Sequence, residues 1–290
     1  MSAAPRFVVG VDGSPDGLRA AAYATRSALL VDGSVHLVHA VDDAVMAGAW
    51  GIVQDAGAME QVGEQALDQA RAHCLELGLD AARLTSDCVL GNATQVLARN
   101  SENASRLVVG RRRLRGLERM FVGSTSASLV SLSHCPVVVI SAAVTPHETG
   151  GRGVVAVGVD GQGHSDATLR EAILEARIRR SPLLVTHVQP PVPVGMFGGY
   201  QLTADAEREL MEQTRATITE MVNRVAGEQS DVEIKVVVDT GDPVDRLVDL
   251  SREVDLLVLG MRAPSLLGFA LGGVSRAVLA HAESPLLVVR

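Results

Sequence analysis

Aromatic residues make up only 2% of this 290-residue chain, as one Trp, two Tyr and four Phe. Stacking platforms for single-stranded nucleic acid need several exposed rings, so that class of partner is poorly served, and the cores must be aliphatic. Lysine is almost absent: Lys235 is the only one among 26 basic residues. The formal charge of −8 excludes a general affinity for nucleic acid or anionic membrane, both of which want a basic surface. Cys74, Cys88 and Cys135 are too few and too far apart for a CxxC pair or a Cys/His metal cluster, which points to a reducing compartment. No stretch approaches the ~18 apolar residues of a membrane span, and MSAAPRFVVG has neither a basic n-region nor an apolar h-region. A cytoplasmic protein is expected.

Hydrophobic residues at 47% and charged residues at 21% describe an ordinary globular chain, and its length suits two α/β domains. An internal repeat supports that division. VVGVDG at 8–13 recurs as AVGVDG at 156–161, and His39 recurs as His187. Gly91 matches Gly241, LVVG at 107–110 matches LVLG at 257–260, and HCPVVVI at 134–140 matches ESPLLVV at 283–289. Short apolar runs, rich in Val, Ile and Leu without clean alternation, predict strands buried on both faces. In the first copy they fall near 6–11, 35–41, 84–90, 106–110 and 136–141, with helices near 16–30, 58–78, 93–104 and 124–134. In the second copy the strands fall near 153–159, 182–188, 231–238, 255–260 and 285–289. Alternating β and α elements predict two tandem, doubly wound, parallel five-stranded sheets flanked by helices. The domains are expected over 1–143 and 153–290, with a Gly- and Pro-containing linker over 144–152. The apolar last strand of each copy is a pairing hazard unless covered, so 136–141 and 285–289 are expected to pair with each other or with a second chain, an internal pseudo-dimer being the default.

Ligands of open α/β sheets bind at the carboxyl ends of strands where strand order reverses. There the first strand ends in Gly10-Val11-Asp12-Gly13-Ser14, and its counterpart in Gly158-Val159-Asp160-Gly161-Gln162. Such an Asp either accepts hydrogen bonds from a base or ribose or caps the following helix. The fourth strand ends at Gly110, and Gly123-Ser124-Thr125-Ser126 opens the next helix, where free N–H groups and hydroxyls suit phosphate. Arg111, Arg112, Arg113, Arg115 and Arg119 face a single acid, Glu118, in a segment that either meets an anion or is a solvated loop. Loops 45–57 and 190–202 are placed to close over a site. His39 and His187 read as structural histidines near buried strand ends. Asp42 and Asp43 are matched in the second copy by Pro190 and Pro191, which weakens a catalytic or metal role for the acids. There is no G-x4-GK[ST], no G-x-G-x-x-G after the first strand, no G-x-S-x-G elbow and no HExxH.

Together the VDGS strand end, the histidine after the second strand, the glycine ending the fourth, GSTS and HCPVVVI resemble the universal stress protein family in its tandem form, twice over nearly the whole chain. The resemblance implies an adenine nucleotide alpha-hydrolase-like fold and, in nucleotide-binding members, ATP held by G-x2-G-x9-G-[ST]. Here Gly110, Arg113 and Gly123-Ser124 occupy those positions, with arginine for the second glycine and the gap of 114–122 intact. The second copy has Gly260 and Ala263, a gap one residue shorter, then Gly272, with Gly273 replacing the hydroxyl residue and Ser275 kept. Adenine and ribose would lie against Gly10, Val11, Asp12 and Ala40, and against Val159, Asp160 and Val188. Phosphates would meet Gly110, Arg113, Gly123, Ser124, Thr125 and Ser126, and Gly260, Gly272, Gly273 and Ser275. The implied function is an ATP-binding regulator in the stress response, with Mg as a possible companion of the nucleotide, an unidentified protein partner and a homodimeric state. It would not be a dedicated enzyme, slow ATP hydrolysis being the most expected. The alternative is a nucleotide-free scaffold acting through protein contacts. An adenylating ligase would need a substrate pocket for which no insertion is long enough.

Overall fold

The computed structural model describes residues 4–41, 56–111, 124–141, 153–161, 165–191, 203–227, 231–261 and 271–290. Its contacts divide the chain into one unit of Met1–Pro146 with Pro285–Val288 and Arg290, and a second of His147–Ser284 with Val289. The first unit runs β1 (Arg6–Gly10), α1 (Pro15–Leu30), β2 (Ser34–Val41), α2 (Ala56–Glu76), β3 (Leu84–Leu90), α3 (Ala93–Asn100), β4 (Arg106–Gly110), α4 (Ser124–Leu132) and β5 (Val137–Ile140). Its strands lie in the order β3-β2-β1-β4-β5, all parallel. The second unit repeats the pattern with β6 (Val155–Gly158), α5 (Asp166–Arg179), β7 (Leu183–Gln189), α6 (Ala204–Ala226), β8 (Ile234–Thr240), α7 (Pro243–Ser251), β9 (Leu256–Gly260) and α8 (Gly273–His281). Its parallel order is β9-β6-β7-β8.

The last strand, β10 (Leu286–Val289), pairs antiparallel with β5 in the register Leu286↔Val139, Leu287↔Val138 and Val288↔Val137. The expected pairing of 136–141 with 285–289 is thus present, and it makes the sheet mixed rather than wholly parallel. Every residue of β5 and β10 is buried, as their unbroken apolar character requires.

The cores are aliphatic, as the shortage of aromatics demands. Leu37, Leu67, Leu107, Leu129 and Ile140 are fully buried in the first unit, and Leu169, Leu183, Ile218, Leu256 and Leu257 in the second. Ala20, Ala21, Ala24 and Ala28 form the buried face of α1, whose small side chains let the helix lie close to the sheet. At its far end Arg83 donates from Nε to Gly33 O at 2.7 Å and from Nη2 to Ala28 O at 3.2 Å, placing a cation on the terminal carbonyls. The expected helix over 93–104 stops at Asn100 and continues as a 3-10 turn over Ser101–Asn103, with Ser101 Oγ donating to Ala98 O. β8 begins and ends later than the 231–238 expected.

Gly91 and Gly241 explain why these two glycines recur. Their φ values of +137° and +140° form the same turn after β3 and β8, a backbone most side chains avoid. Each turn hands over to an N-cap, Asn92 for α3 and Asp242 for α7, whose side chains accept from two amides.

His36, buried in β2, pairs its Nδ1 with Thr85 Oγ1 at 2.8 Å, while Nε2 lies 3.4 Å from Asp87. Burial first, and then the Arg6 guanidinium, lower its pKa below 6.5, against the opposing pull of Asp87 and Asn100. A proton therefore binds the unfolded chain more readily than the folded one. The stability this histidine contributes is complete above pH 6.5 and drains away as pH falls from there toward the folded-state value. Chemical denaturation followed between pH 7 and 5 is expected to show that loss, and His36→Leu to flatten it.

Candidate functional site

In the first unit the chain leaves β1 toward β2 on one side and later crosses to β4 on the other. The strand ends at Gly10 and Gly110 therefore flank the reversal point, the place where ligands of open α/β sheets bind. Val11 follows β1 as a buried residue whose N–H bonds Val38 O at 2.9 Å. Its carbonyl accepts from His39 Nδ1 at 2.8 Å. Both backbone groups of Val11 are thus taken inside the protein. Asp12 comes next and is exposed.

Asp12 does not cap α1 itself. Ser14 is the cap, accepting from Gly17 N at 3.1 Å, and Asp12 Oδ1 accepts from both the N–H (3.0 Å) and the hydroxyl of Ser14. The carboxylate is thereby tied to the helix cap through Oδ1. A Cβ on Gly17 would lie 2.9 Å from Asp12 Oδ1, and one on Gly110 would lie 2.6 Å from the Asp16 carbonyl carbon. The first turn of α1 is therefore wedged between Asp12 and the end of β4. Gly110, expected to admit a ligand to the backbone, admits the backbone of Asp16. Ser126 is buried and donates its hydroxyl to Gly110 O at 3.4 Å, anchoring the first turn of α4 to the same strand end.

The second unit builds the same arrangement from different residues. Val159 N–H bonds Thr186 O at 3.0 Å, and its carbonyl accepts from His187 Nδ1 at 2.9 Å. Asp160 is exposed and accepts at Oδ1 from Ser165 Oγ at 2.8 Å. A Cβ on Gly260 would lie 2.5 Å from Thr168 Oγ1, so the first turn of α5 occupies the place held by Asp16. Ser275 Oγ donates to Gly260 O at 3.1 Å, matching Ser126. Gly272 caps α8 without a side-chain hydrogen bond, and around Gly273 a Cβ would meet nothing within 4 Å. The opening amides of α8 point along a helix dipole that favours anions.

Of the expected residues, Gly10, Val11, Asp12, Gly110 and Ser126 gather at one strand-end region, and Val159, Asp160, Gly260 and Ser275 at its counterpart. Ala40 and Val188 lie near the ends of β2 and β7, one half-buried and the other buried. Thr125 is half-buried in the first turn of α4, which begins at Ser124. Arg113 and Gly123 lie outside the described residues, as do Asp42, Asp43, the arginines from 112 to 119, and almost all of loops 45–57 and 190–202. Sequence reasoning missed Gly17, Asp16 and Thr168. A glycine inside the first turn of a helix, unfavourable by about 1 kcal/mol relative to alanine, was the available signal for Gly17.

Among the described residues, no group of three or more His, Cys, Asp and Glu is arranged to hold a metal ion. All three cysteines are free. Cys88 pairs in register with His39, and its thiol is pushed up by burial and then by Glu64 and Glu60, which disfavours a reactive thiolate.

The sequence model described as the Universal stress protein family matches residues 4–141 and again 152–290. The chain belongs to the universal stress protein family. A universal stress protein of Mycobacterium tuberculosis is 30% identical over 298 residues, covering 98% of this chain and 96% of its own. Another, from Mycolicibacterium smegmatis, is 29% identical over 294 residues, covering 98% and 96%. The crystal structure of a universal stress protein from Archaeoglobus fulgidus superimposes with a TM-score of 0.69 at 17% identity, covering 98% of this chain and 96% of that one, a likeness of fold. Another universal stress protein from Archaeoglobus fulgidus, solved in complex with dAMP, covers 47% of this chain at 24% identity, with a TM-score of 0.32. Among the described residues, no helix of this universal stress protein is long and apolar enough to cross a membrane.

Proposed function

We propose that this universal stress protein is an ATP-binding regulator of the stress response that takes one adenine nucleotide at each reversal point. One observation carries the reading: an exposed aspartate tethered by a serine hydroxyl beside a strand-end glycine, whose carbonyl in turn holds the helix-opening serine, is built twice from differing sequence. A carboxylate suits the paired hydroxyls of ribose, and the amides opening α4 and α8 suit phosphates. Adenine would rest on Val11 and Ala40, or on Val159 and Val188, by apolar contact, because the backbone groups of Val11 and Val159 are already bonded. Magnesium would accompany the phosphates. Nucleotide occupancy would be read by a protein partner of a cytoplasmic homodimer, since a ligand shifts a conformational equilibrium only through unequal affinity for its states. Hydrolysis, if it accompanies binding, would be slow.

The competing reading, a nucleotide-free scaffold, is favoured by the intramolecular roles that Gly110, Gly260, Ser126 and Ser275 already have. Isothermal titration with ATP, with and without magnesium, decides between them: the regulator takes up as many as two equivalents, and the scaffold none. Arg113→Gly sharpens the test, since it would weaken a phosphate clamp but confer binding on a scaffold whose site the arginine fills.

Space at Gly273 permits a direct gain-of-function test. Gly273→Ser restores the hydroxyl of the first copy without a clash. Stability is expected to change by no more than about 0.5 kcal/mol, while ATP affinity of the second site rises by roughly two- to tenfold, the value of one added hydrogen bond. Competition titration against a fluorescent ATP analogue measures it.

A further inference from the structure

β1 pairs with its neighbours only as far as Gly10, in the registers Gly10↔Val38 and Gly10↔Val109. The carbonyl of Val11 lies beyond that pairing, at the point where the chain turns out to Asp12. A side-chain donor, His39 Nδ1–H, meets it at 2.8 Å. A carbonyl oxygen only accepts, so Nδ1 must carry a hydrogen. His187 does the same for Val159 O at 2.9 Å, beyond the last β6 pair, Gly158↔Thr186.

The first ring is also held in place from outside. A Cβ on Gly63 of α2 would lie 2.6 Å from His39 Cδ2 and 3.1 Å from its Nε2, so the helix backbone lies directly on the imidazole. In the second unit a Cβ on Gly161 would lie 3.7 Å from His187 Cε1 and 3.8 Å from its Nδ1. Those are ordinary contact distances for an added methyl, so what fixes His187 beside Asp160 is its bond to Val159 O. A leucine would fill the same volume, so the property peculiar to histidine here is the directed donor.

We infer that His39 and His187 are positioning residues of the two nucleotide sites, each fixing the first carbonyl beyond its strand through Nδ1–H so that Asp12 or Asp160 presents its carboxylate to ribose. The inference rests on the nucleotide reading above for its ligand, and on the hydrogen-bond geometry for its mechanism. It assigns neither histidine to proton transfer.

The experiment compares His39→Leu, which keeps bulk and removes the donor, with His39→Asn, whose amide nitrogen stands close to the position of Nδ1. Equilibrium dialysis of the full chain against radiolabelled ATP is the binding readout, and amide hydrogen exchange at Ser14, whose N–H bonds Asp12 Oδ1, is the ligand-free readout. His39→Leu is expected to weaken the first site about tenfold, leave the second unchanged, and speed exchange at the Ser14 amide. His39→Asn is expected to stay within about threefold of wild type in affinity and to preserve protection. His187→Leu and His187→Asn should reproduce this pattern at the second site. Equal losses in the Leu and Asn variants would overturn the inference, because volume rather than the donor would then decide. Unchanged exchange in His39→Leu would overturn it too, whatever the ATP result. Wild-type protein that takes up no ATP, yet shows faster exchange only in the Leu variant, would reject the nucleotide reading while upholding the positioning of Asp12.

Discussion

Gly110→Ala is expected to damage the first unit far more than Gly260→Ala damages the second, although both alter the last residue of equivalent strands. The new methyl at 110 would stand 2.6 Å from the Asp16 carbonyl carbon and 2.7 Å from its oxygen. Those are backbone atoms at the start of a helix capped by Ser14 and packed on Asp12, so they cannot step aside without moving α1. Overpacking typically costs about 1–3 kcal/mol, and this case belongs at the upper end. At about 2–4 °C per kcal/mol, the thermal midpoint should fall by roughly 6–12 °C. At 260 the closest atom is Thr168 Oγ1 at 2.5 Å, with Cβ and Cγ2 at 3.6 and 3.7 Å. Only the hydroxyl is in the way, so Thr168→Ala is expected to rescue much of the loss in Gly260→Ala. No single side-chain truncation rescues Gly110→Ala. Differential scanning calorimetry of the three variants and wild type checks the order.

The second large effect concerns the aspartates. If their carboxylates bind ribose, Asp12→Ala removes charge-assisted hydrogen bonds worth about 1.5–3 kcal/mol. That corresponds to a loss of about ten- to a hundredfold in ATP affinity at the first site. Asp160→Ala should do the same at the second site, and the double variant should bind no measurable ATP at concentrations that saturate wild type. Asp12→Asn keeps an oxygen for Ser14 while removing the charge, so it is expected to fall between wild type and Asp12→Ala. Both aspartates also bond the N-cap serine of the following helix, Ser14 or Ser165, so each Ala variant is expected to lose about 1 kcal/mol of stability while staying folded. Titration calorimetry with circular dichroism as the folding control separates the two effects.

The repeat, the doubly wound, largely parallel sheet implied by βα alternation and the aliphatic core were all legible in the sequence, because each depends on local apolar patterning. The pairing of β5 with β10 was legible for a different reason: two unbroken apolar strands at unit ends need a cover. Their antiparallel direction was not, since composition says nothing of strand polarity. At the candidate site, the recurrence of Asp12 as Asp160 and of His39 as His187 marked two equivalent strand ends. The roles of Gly110 and Gly260 could not be read, because what approaches them is Asp16 or Thr168, distant in sequence and brought near only by the packing of a helix on the sheet. The division of labour between Asp12 and Ser14 was equally hidden. Either residue is a competent N-cap by type, and the backbone alone decides that Ser14 takes the cap while Asp12 holds its hydroxyl.

The nucleotide content of freshly purified protein tests the account most directly: the protein is denatured, and the released ATP, ADP and AMP are separated by chromatography and counted per chain. One or two equivalents of adenine nucleotide, lost from the Asp12→Ala/Asp160→Ala protein, is the predicted result. A folded chain that releases none, and acquires none after incubation with magnesium and ATP, would contradict it.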